Sequence, residues 1–136
     1  MTTARHVVLD TDVASLGFKR RLPPALLTHL IDRDVCLTFV TVAELTQWAD
    51  LRRWGARNRE LLSRWLSRAV VLPYDEDVAA TWGYISAAAI HRGRPRPAND
   101  TWIAACCLVH QLPLATQNVK DFDDYAEHES LELITG

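Results

Sequence analysis

The chain has 136 residues, of which 49% are hydrophobic and 24% charged, and its formal net charge at pH 7 is −2. This length and apolar content suit one hydrophobic core and argue against long disordered stretches. No segment reaches the roughly 20 apolar residues of a membrane-spanning helix, and the first residues do not resemble a signal peptide. Three cysteines, with Cys106 and Cys107 adjacent, do not form a disulfide framework. We therefore expect a single domain over residues 1–136 of a reduced, cytoplasmic protein with no membrane association.

The charge is unevenly distributed along the chain. All 15 Lys and Arg lie at or before Lys120, whereas six of the 17 Asp and Glu follow it. Residues 1–120 therefore carry a formal charge of +4 and residues 121–136 carry −6. A mildly basic body is compatible with nucleic-acid binding but is equally typical of an ordinary solvated surface.

In chain order, the hydrophobic pattern predicts strands that alternate with helices. Strands are predicted at residues 7–9, 35–40, 69–72, 112–116 and 131–134. Helices are predicted at residues 25–32, 41–53, 58–66, 76–91 and 101–110. This alternation is typical of an α/β domain with a mostly parallel central sheet flanked by helices.

Acidic side chains recur near the predicted ends of these strands. Asp10 follows the first strand, Glu44 follows the second, and Asn118 and Asp121 follow the fourth. Asp100 begins the helix that leads into the fourth strand. Because ligands of parallel α/β sheets collect beyond the carboxyl ends of the strands, we expect these side chains to converge there.

Each acid also has an ordinary structural explanation. Asp10 could form a turn or cap a helix, but the segment 13–17 is too brief to predict a helix, so we favour a functional role. Asp12 could support Asp10 or satisfy backbone N–H groups of the turn. Glu44 stands three residues after Thr41, which is the pattern of a capping box. Asp100 could cap the following helix.

The polar residues that follow the fourth strand also have a structural explanation. Asn118 and Asp121 could belong to a polar loop that starts the acidic tail, although Phe122 could anchor that loop on the core. Several carboxylates at one edge suit Mg²⁺ or Mn²⁺, which prefer oxygen ligands and retain water. Hydrolysis of phosphodiesters is a reaction that uses such ions.

Four segments carry a resemblance to a known family. They are Val-Leu-Asp-Thr-Asp at 8–12, Thr-Val-Ala-Glu-Leu at 41–45, Asn-Asp-Thr-Trp-Ile-Ala-Ala at 99–105, and Leu-Ala-Thr-Gln-Asn-Val-Lys-Asp-Phe at 114–122. Their order and spacing resemble those of PIN domains, and most of all the VapC-type toxins of bacterial type II toxin–antitoxin pairs. The resemblance implies a PIN fold and a Mg²⁺- or Mn²⁺-dependent endoribonuclease that cleaves cellular RNA, with tRNA or rRNA as the expected substrate.

The resemblance also assigns roles to individual residues. Asp10, Glu44 and Asp100 match the three family acids that hold the metal. Asp121 is favoured as the fourth carboxylate, because Asn118 stands where many relatives have Asp. The supporting residues implied by the resemblance are Thr11, Asp12, Thr116 and Asn118.

Further contacts are expected outside the acidic site. Arg92, Arg94 and Arg96 are candidates for contacts to RNA phosphates, although a solvated loop explains them equally well. The five tryptophans, at positions 48, 54, 65, 82 and 102, could stack on bases, but core packing is the more frequent use. The resemblance implies a homodimer and a cognate antitoxin as protein partner.

Two other classes of protein stay open at this point. One is a catalytically weak PIN-like module that only binds RNA or protein. The other is a phosphatase that uses Asp10 as nucleophile and Asp12 as acid, for which Lys120 and Asp121 are only a partial match.

Overall fold

The computed structural model describes residues 5–136; residues 1–4, on which the prediction of no signal peptide partly rests, lie outside the described residues. Five strands form one parallel sheet: β1 (His6–Leu9), β2 (Asp34–Thr38), β3 (Val70–Leu72), β4 (Leu114–Ala115) and β5 (Leu133–Ile134). The helices of this part of the chain are α1 (Thr11–Phe18), α2 (Pro24–Leu30), α3 (Phe39–Leu51), α4 (Ala56–Ser67), α5 (Glu76–His91), α6 (Ala98–His110) and α7 (Val119–Glu129).

Strand β1 lies at the centre of the sheet, whose strand order is β3-β2-β1-β4-β5. Successive side chains of β1 point to opposite faces, as the strand geometry requires. Val8 therefore joins the core cluster that includes residues of α5, α6 and α7, whereas Val7 and Leu9 join the cluster that includes residues of α1 to α4. The predicted α/β class is confirmed.

The strand order places a crevice at the centre of the sheet. The chain moves outward from β1 through β2 to β3, and it then returns to place β4 on the other side of β1. In open parallel sheets, such a reversal leaves a crevice beyond the carboxyl ends of the two strands that flank it. Here the crevice opens beyond Leu9 of β1 and Ala115 of β4, which are paired in the ladder.

Two helices were not predicted from the sequence. Helix α1 follows β1 directly, and Asp10 is its N-cap, with the carboxylate accepting the backbone N–H of Val13. The prediction that no helix follows Asp10 is therefore wrong. Helix α7 occupies the acidic segment after β4, and it buries Phe122 and Tyr125 against the core.

Two predicted helix starts were also wrong. Strand β2 ends at Thr38, which is the N-cap of α3, so Thr41 and Glu44 do not form a capping box. Helix α6 begins at Ala98, with Pro97 at the N-cap position and no side-chain cap, so Asp100 does not cap it. All three cysteines are buried and free. Within residues 5–136, no helix is both long and apolar enough to cross a membrane.

Candidate active site at the carboxyl edge of the sheet

A cavity of about 210 Å³ opens at the crevice between β1 and β4. Its walls bring together the acids that the sequence predicted, and they are lined by Asp10, Thr11, Asp12, Glu44, Trp48, Asp100, Ile103, Asn118, Asp121 and Phe122. Thr116 is fully buried and bonded to Asp10. The predicted site residues, which come from four separate segments of the chain, are therefore assembled at one place.

The Asp10 carboxylate is fixed on both of its oxygens. Its Oδ1 accepts the backbone N–H of Val13 at 2.8 Å, and its Oδ2 accepts the hydroxyl of Thr116. The side chain is only 3% exposed, and burial is the main reason why its pKa is raised to about 6. The two hydrogen bonds lower the pKa, whereas the negative charges of Asp12 and Asp100 add to the increase.

Two threonines connect Glu44 to the first strand–helix junction. The Thr11 hydroxyl donates to Glu44 Oε1 at 2.7 Å, and it also lies 3.0 Å from the hydroxyl of Thr41. Thr41 is fully buried beneath Glu44, inside the first turns of α3. The resemblance implied that Thr11 supports Asp10, whereas in the structure its hydroxyl supports the Glu44 carboxylate.

Asp12 and Asn118 face each other across the mouth of the cavity. Asn118 Nδ2 donates to Asp12 Oδ2 at 2.7 Å, and the backbone N–H of Asn118 donates to Thr116 Oγ1 at 2.9 Å. The loop after β4 is thereby joined to the start of α1. An amide at position 118 can donate this bond, whereas a carboxylate there would repel Asp12.

Asp100 lies on the first turn of α6 and is free of any capping role. Its pKa is raised to about 6, first by partial burial and then by the negative charges of Asp121 and Glu44. The guanidinium of Arg96 acts in the opposite direction. Such repulsion among acids is costly unless a cation or a proton neutralises it, so the site favours a positive ligand.

The donor set fits a hard divalent cation. All of the charged groups that line the cavity are carboxylates, which are the ligands that Mg²⁺ and Mn²⁺ prefer. Within the described part of the chain, however, no three Asp, Glu, His or Cys side chains form a ready-made metal cluster. This open arrangement suits an ion that is held by a few carboxylates and keeps several waters, rather than a closed structural site.

The three arginines predicted to contact RNA each contact a residue of helix α7. Arg94 Nε donates to Asp124 at 2.8 Å, and Arg92 lies 3.9 Å from Glu129. Arg96 donates to the backbone carbonyl of Lys120 at 3.4 Å. These contacts join the segment between α5 and α6 to helix α7, and nothing in them tests a contact to RNA.

The sequence interpretation missed two residues of the cavity wall. Trp48 lies one helical turn after Glu44, and Ile103 lies one turn after Asp100. The helical spacing of each from a predicted acid was the signal that could have identified them. The sequence interpretation treats Trp48 only as one of five tryptophans that could stack on bases or pack in the core.

Comparison with known proteins agrees with this fold. The PIN domain family model matches residues 7–128. The chain is 31% identical over 118 residues to Ribonuclease VapC2 of Haemophilus influenzae, covering 85% of this chain and 89% of the relative. It is 33% identical over 143 residues to Ribonuclease VapC5 of Mycobacterium tuberculosis, covering 98% of this chain and 97% of the relative.

A solved structure supports the same assignment. The crystal structure of VapBC-5 from Mycobacterium tuberculosis, a member of the VapBC family of toxin–antitoxin systems, superposes with a TM-score of 0.72 at 32% identity. The superposition covers 97% of this chain and 99% of the solved one. The chain belongs to the PIN domain family.

Proposed function

We propose that this protein is a metal-dependent endoribonuclease that hydrolyses phosphodiester bonds in cellular RNA. The observation that carries the proposal is the assembly of Asp10, Glu44, Asp100 and Asp121 around one cavity of a PIN domain. Two relatives that match most of the chain are named ribonucleases, which supports the activity. The expected substrate class is tRNA or rRNA.

The proposed cofactor is Mg²⁺ or Mn²⁺, held by Asp10, Asp100, Glu44 and Asp121. When bound, such an ion lowers the pKa of a water and offsets the negative charge of a phosphate. The pKa values of Asp10 and Asp100 are raised to about 6 each, mainly by burial and further by neighbouring carboxylates, and a bound cation would offset both effects.

The protein's own groups hold the carboxylates in place. Val13 N–H and the Thr116 hydroxyl fix the orientation of Asp10, and the Thr11 hydroxyl fixes that of Glu44. Preorganised charged groups cost less reorganisation during reaction than mobile ones, so these hydrogen bonds favour catalysis. Asp121 is proposed as the fourth carboxylate, and Asn118 as the residue that positions Asp12.

The proposal extends to the biological role. The VapBC-5 structure is described as a toxin–antitoxin system, and we propose that this chain is likewise a growth-inhibiting toxin neutralised by a cognate antitoxin. An antitoxin could pair a cationic side chain with the carboxylate cavity, because charge-assisted hydrogen bonds to carboxylates are strong. The homodimer implied by the resemblance stays a prediction.

The test is RNA cleavage by purified protein in Mg²⁺, in Mn²⁺ and in EDTA, with Asp100→Asn alongside. We expect discrete cleavage that needs metal and falls at least about 100-fold in Asp100→Asn, because metal charge stabilisation of several kcal/mol is lost. Asp32→Asn, at an exposed acid after α2, is the matched control and should cleave like the wild type. If the folded wild-type protein cleaves no RNA in either metal, the proposal is wrong and the chain is a module that only binds RNA or protein.

A further inference from the structure

A second, larger cavity of about 460 Å³ adjoins the carboxylate cavity on the side of α1 and α3. Asp12, Trp48 and Asn118 line both cavities, so the two form one continuous depression. Lys19, Arg52 and Gln117 line only the second one, which we call the α1–α3 groove.

The charge of the depression reverses along helix α3. Glu44 and Trp48 lie four residues apart on one face of α3, and Arg52, four residues further on, is the C-cap residue that follows the helix. The rise of the helix separates Glu44 from Arg52 by about 12 Å along the axis. On the neighbouring segment, Asp12 is in the first turn of α1 and Lys19 is the C-cap residue at its other end, so acid and cation follow the same order. The groove therefore runs from carboxylates, past an aromatic ring, to two cations.

Trp48 differs from the other tryptophans in its surroundings. The other four each pack against another aromatic ring within the described chain. Trp48 packs instead against the core cluster that includes residues of α1 to α4, and the Arg52 guanidinium lies 5.4 Å from its ring centroid. The indole is partly exposed in the wall that the two cavities share. An aromatic face beside a cation is the combination that holds bases and phosphates of single-stranded nucleic acid.

We propose that the α1–α3 groove binds the part of the RNA strand that flanks the scissile phosphate. Lys19 and Arg52 contact backbone phosphates, and Trp48 with the Arg52 guanidinium offers a stacking surface for a base. Gln117 lies in the wall as a hydrogen-bonding side chain. The inference rests on the proposed ribonuclease function, and it uses neither Arg92 nor Arg94, which pair with Glu129 and Asp124 of α7.

An RNA strand fits these observations better than an acidic peptide. Two cations alone would suit either ligand. A nucleic-acid base can also stack on the ring of Trp48, whereas a peptide carboxylate cannot. The groove also lies next to the proposed site of phosphodiester cleavage, because Asp12 and Asn118 line both cavities. Stacking and phosphate contacts are tolerant of sequence, so the groove would add affinity rather than choose the bond that is cut.

The test measures RNA binding rather than cleavage. Fluorescence anisotropy of a labelled single-stranded RNA of mixed sequence is followed at several salt concentrations, with every variant made in the Asp100→Asn background. Lys19→Gln and Arg52→Gln should each reduce the slope of log affinity against log salt by about 0.7, the value for one phosphate contact on a single strand. Arg57→Gln, at an exposed arginine of α4, is the control and should leave the slope unchanged.

Trp48 supplies an independent measurement. Trp48→Leu should weaken RNA binding roughly tenfold through loss of stacking, whereas Trp48→Phe should retain most of the affinity. Urea unfolding of each variant shows whether the fold is intact. If Trp48→Leu does not fold, the salt slopes of the two cation variants decide the question.

The outcomes separate this inference from the proposed function. If Lys19→Gln and Arg52→Gln bind RNA with the affinity and slope of Arg57→Gln, the groove does not hold RNA and the inference is overturned. Groove-dependent RNA binding by a protein that cleaves no RNA in Mg²⁺ or Mn²⁺ would overturn the nuclease function and leave the groove assignment standing.

Discussion

Thr116 donates a hydrogen bond to Asp10 although the two residues are 106 positions apart in the chain. The same hydroxyl accepts the backbone N–H of Asn118 at 2.9 Å. A single buried side chain therefore connects the carboxylate at the end of β1 to the loop that follows β4. The orientation of Asp10 is consequently set by hydrogen bonds within the protein.

Replacing Thr116 by Val tests this connection. The change leaves a buried carboxylate oxygen and a backbone N–H without their partner, so we expect a loss of about 1–3 kcal/mol in the free energy of unfolding. RNA cleavage should fall as well, because Asp10 loses one of its two orienting bonds. Urea unfolding and a cleavage assay measure the two effects. Thr116→Ser keeps the hydroxyl and is the control; a Val variant as stable and active as Ser would contradict the role.

Glu44→Gln separates catalysis from folding. Thr38 caps α3 and Glu44 takes no part in that cap, while a Gln oxygen can still accept the Thr11 hydroxyl. We therefore expect unfolding free energy to stay within about 0.5 kcal/mol of the wild type. Cleavage should fall at least tenfold, roughly the effect of 1.4 kcal/mol at the barrier, because a metal-holding charge is removed. Full activity in Glu44→Gln would show that cleavage does not need the charge of Glu44.

A comparison of two variants identifies the fourth position of the site. Asp121 contributes the largest charge effect on the pKa of Asp100, whereas Asn118 is engaged with Asp12. Asp121→Asn should therefore weaken Mn²⁺ binding and cleavage more than Asn118→Ala does. Calorimetric titration with Mn²⁺ gives the two affinities. The reverse order would assign the fourth position to Asn118.

The raised pKa values predict how stability of the metal-free protein depends on pH. For Asp10 and Asp100 the folded state favours the protonated form, with pKa values near 6 against an ordinary value of 3.8. Their contribution to stability is therefore fully present below pH 3.8 and is lost as the pH rises through about 6.

Asp100→Asn isolates this contribution from that of other acids. In EDTA, the variant should gain stability relative to the wild type as the pH rises from 3.8 to about 6, because it has no partly buried charge to desolvate and none to repel Asp121 and Glu44. Urea unfolding at several pH values measures the difference. A difference that does not change with pH would show that neither burial nor the neighbouring acids raise the pKa of Asp100.

Arg94→Gln tests one of the arginines that the sequence suggested for RNA. The Asp124 side chain is only 8% exposed and would lose the cation that lowers its pKa. We expect reduced stability at neutral pH, while the salt slope of RNA binding stays at the wild-type value. If Arg94→Gln reduces the salt slope of RNA binding and leaves stability unchanged, Arg94 contacts a phosphate.

The sequence alone determined the fold class and the location of the site. Apolar strands that alternate with amphipathic helices can bury both faces of a sheet in few ways, so the parallel α/β class followed from the pattern. Residues after such strands converge at one edge, which is why Asp10, Glu44 and Asp121 could be placed together before the structure. The bounds of α5 were predicted without error, because its Ala-rich stretch has clear ends.

Only the tertiary structure decided which explanation held for each acid. Helix α6 begins at Ala98, so Asp100 does not cap it. Helix α3 begins at Phe39, so Thr41 and Glu44 do not form a capping box. Helices α1 and α7 carry weak local signals, and they form because Asp10 caps one and buried Phe122 anchors the other. The contact between Thr116 and Asp10 joins distant segments of the chain. Sequence periodicity indicates only which residues share a face of one helix or strand, so it cannot predict such contacts.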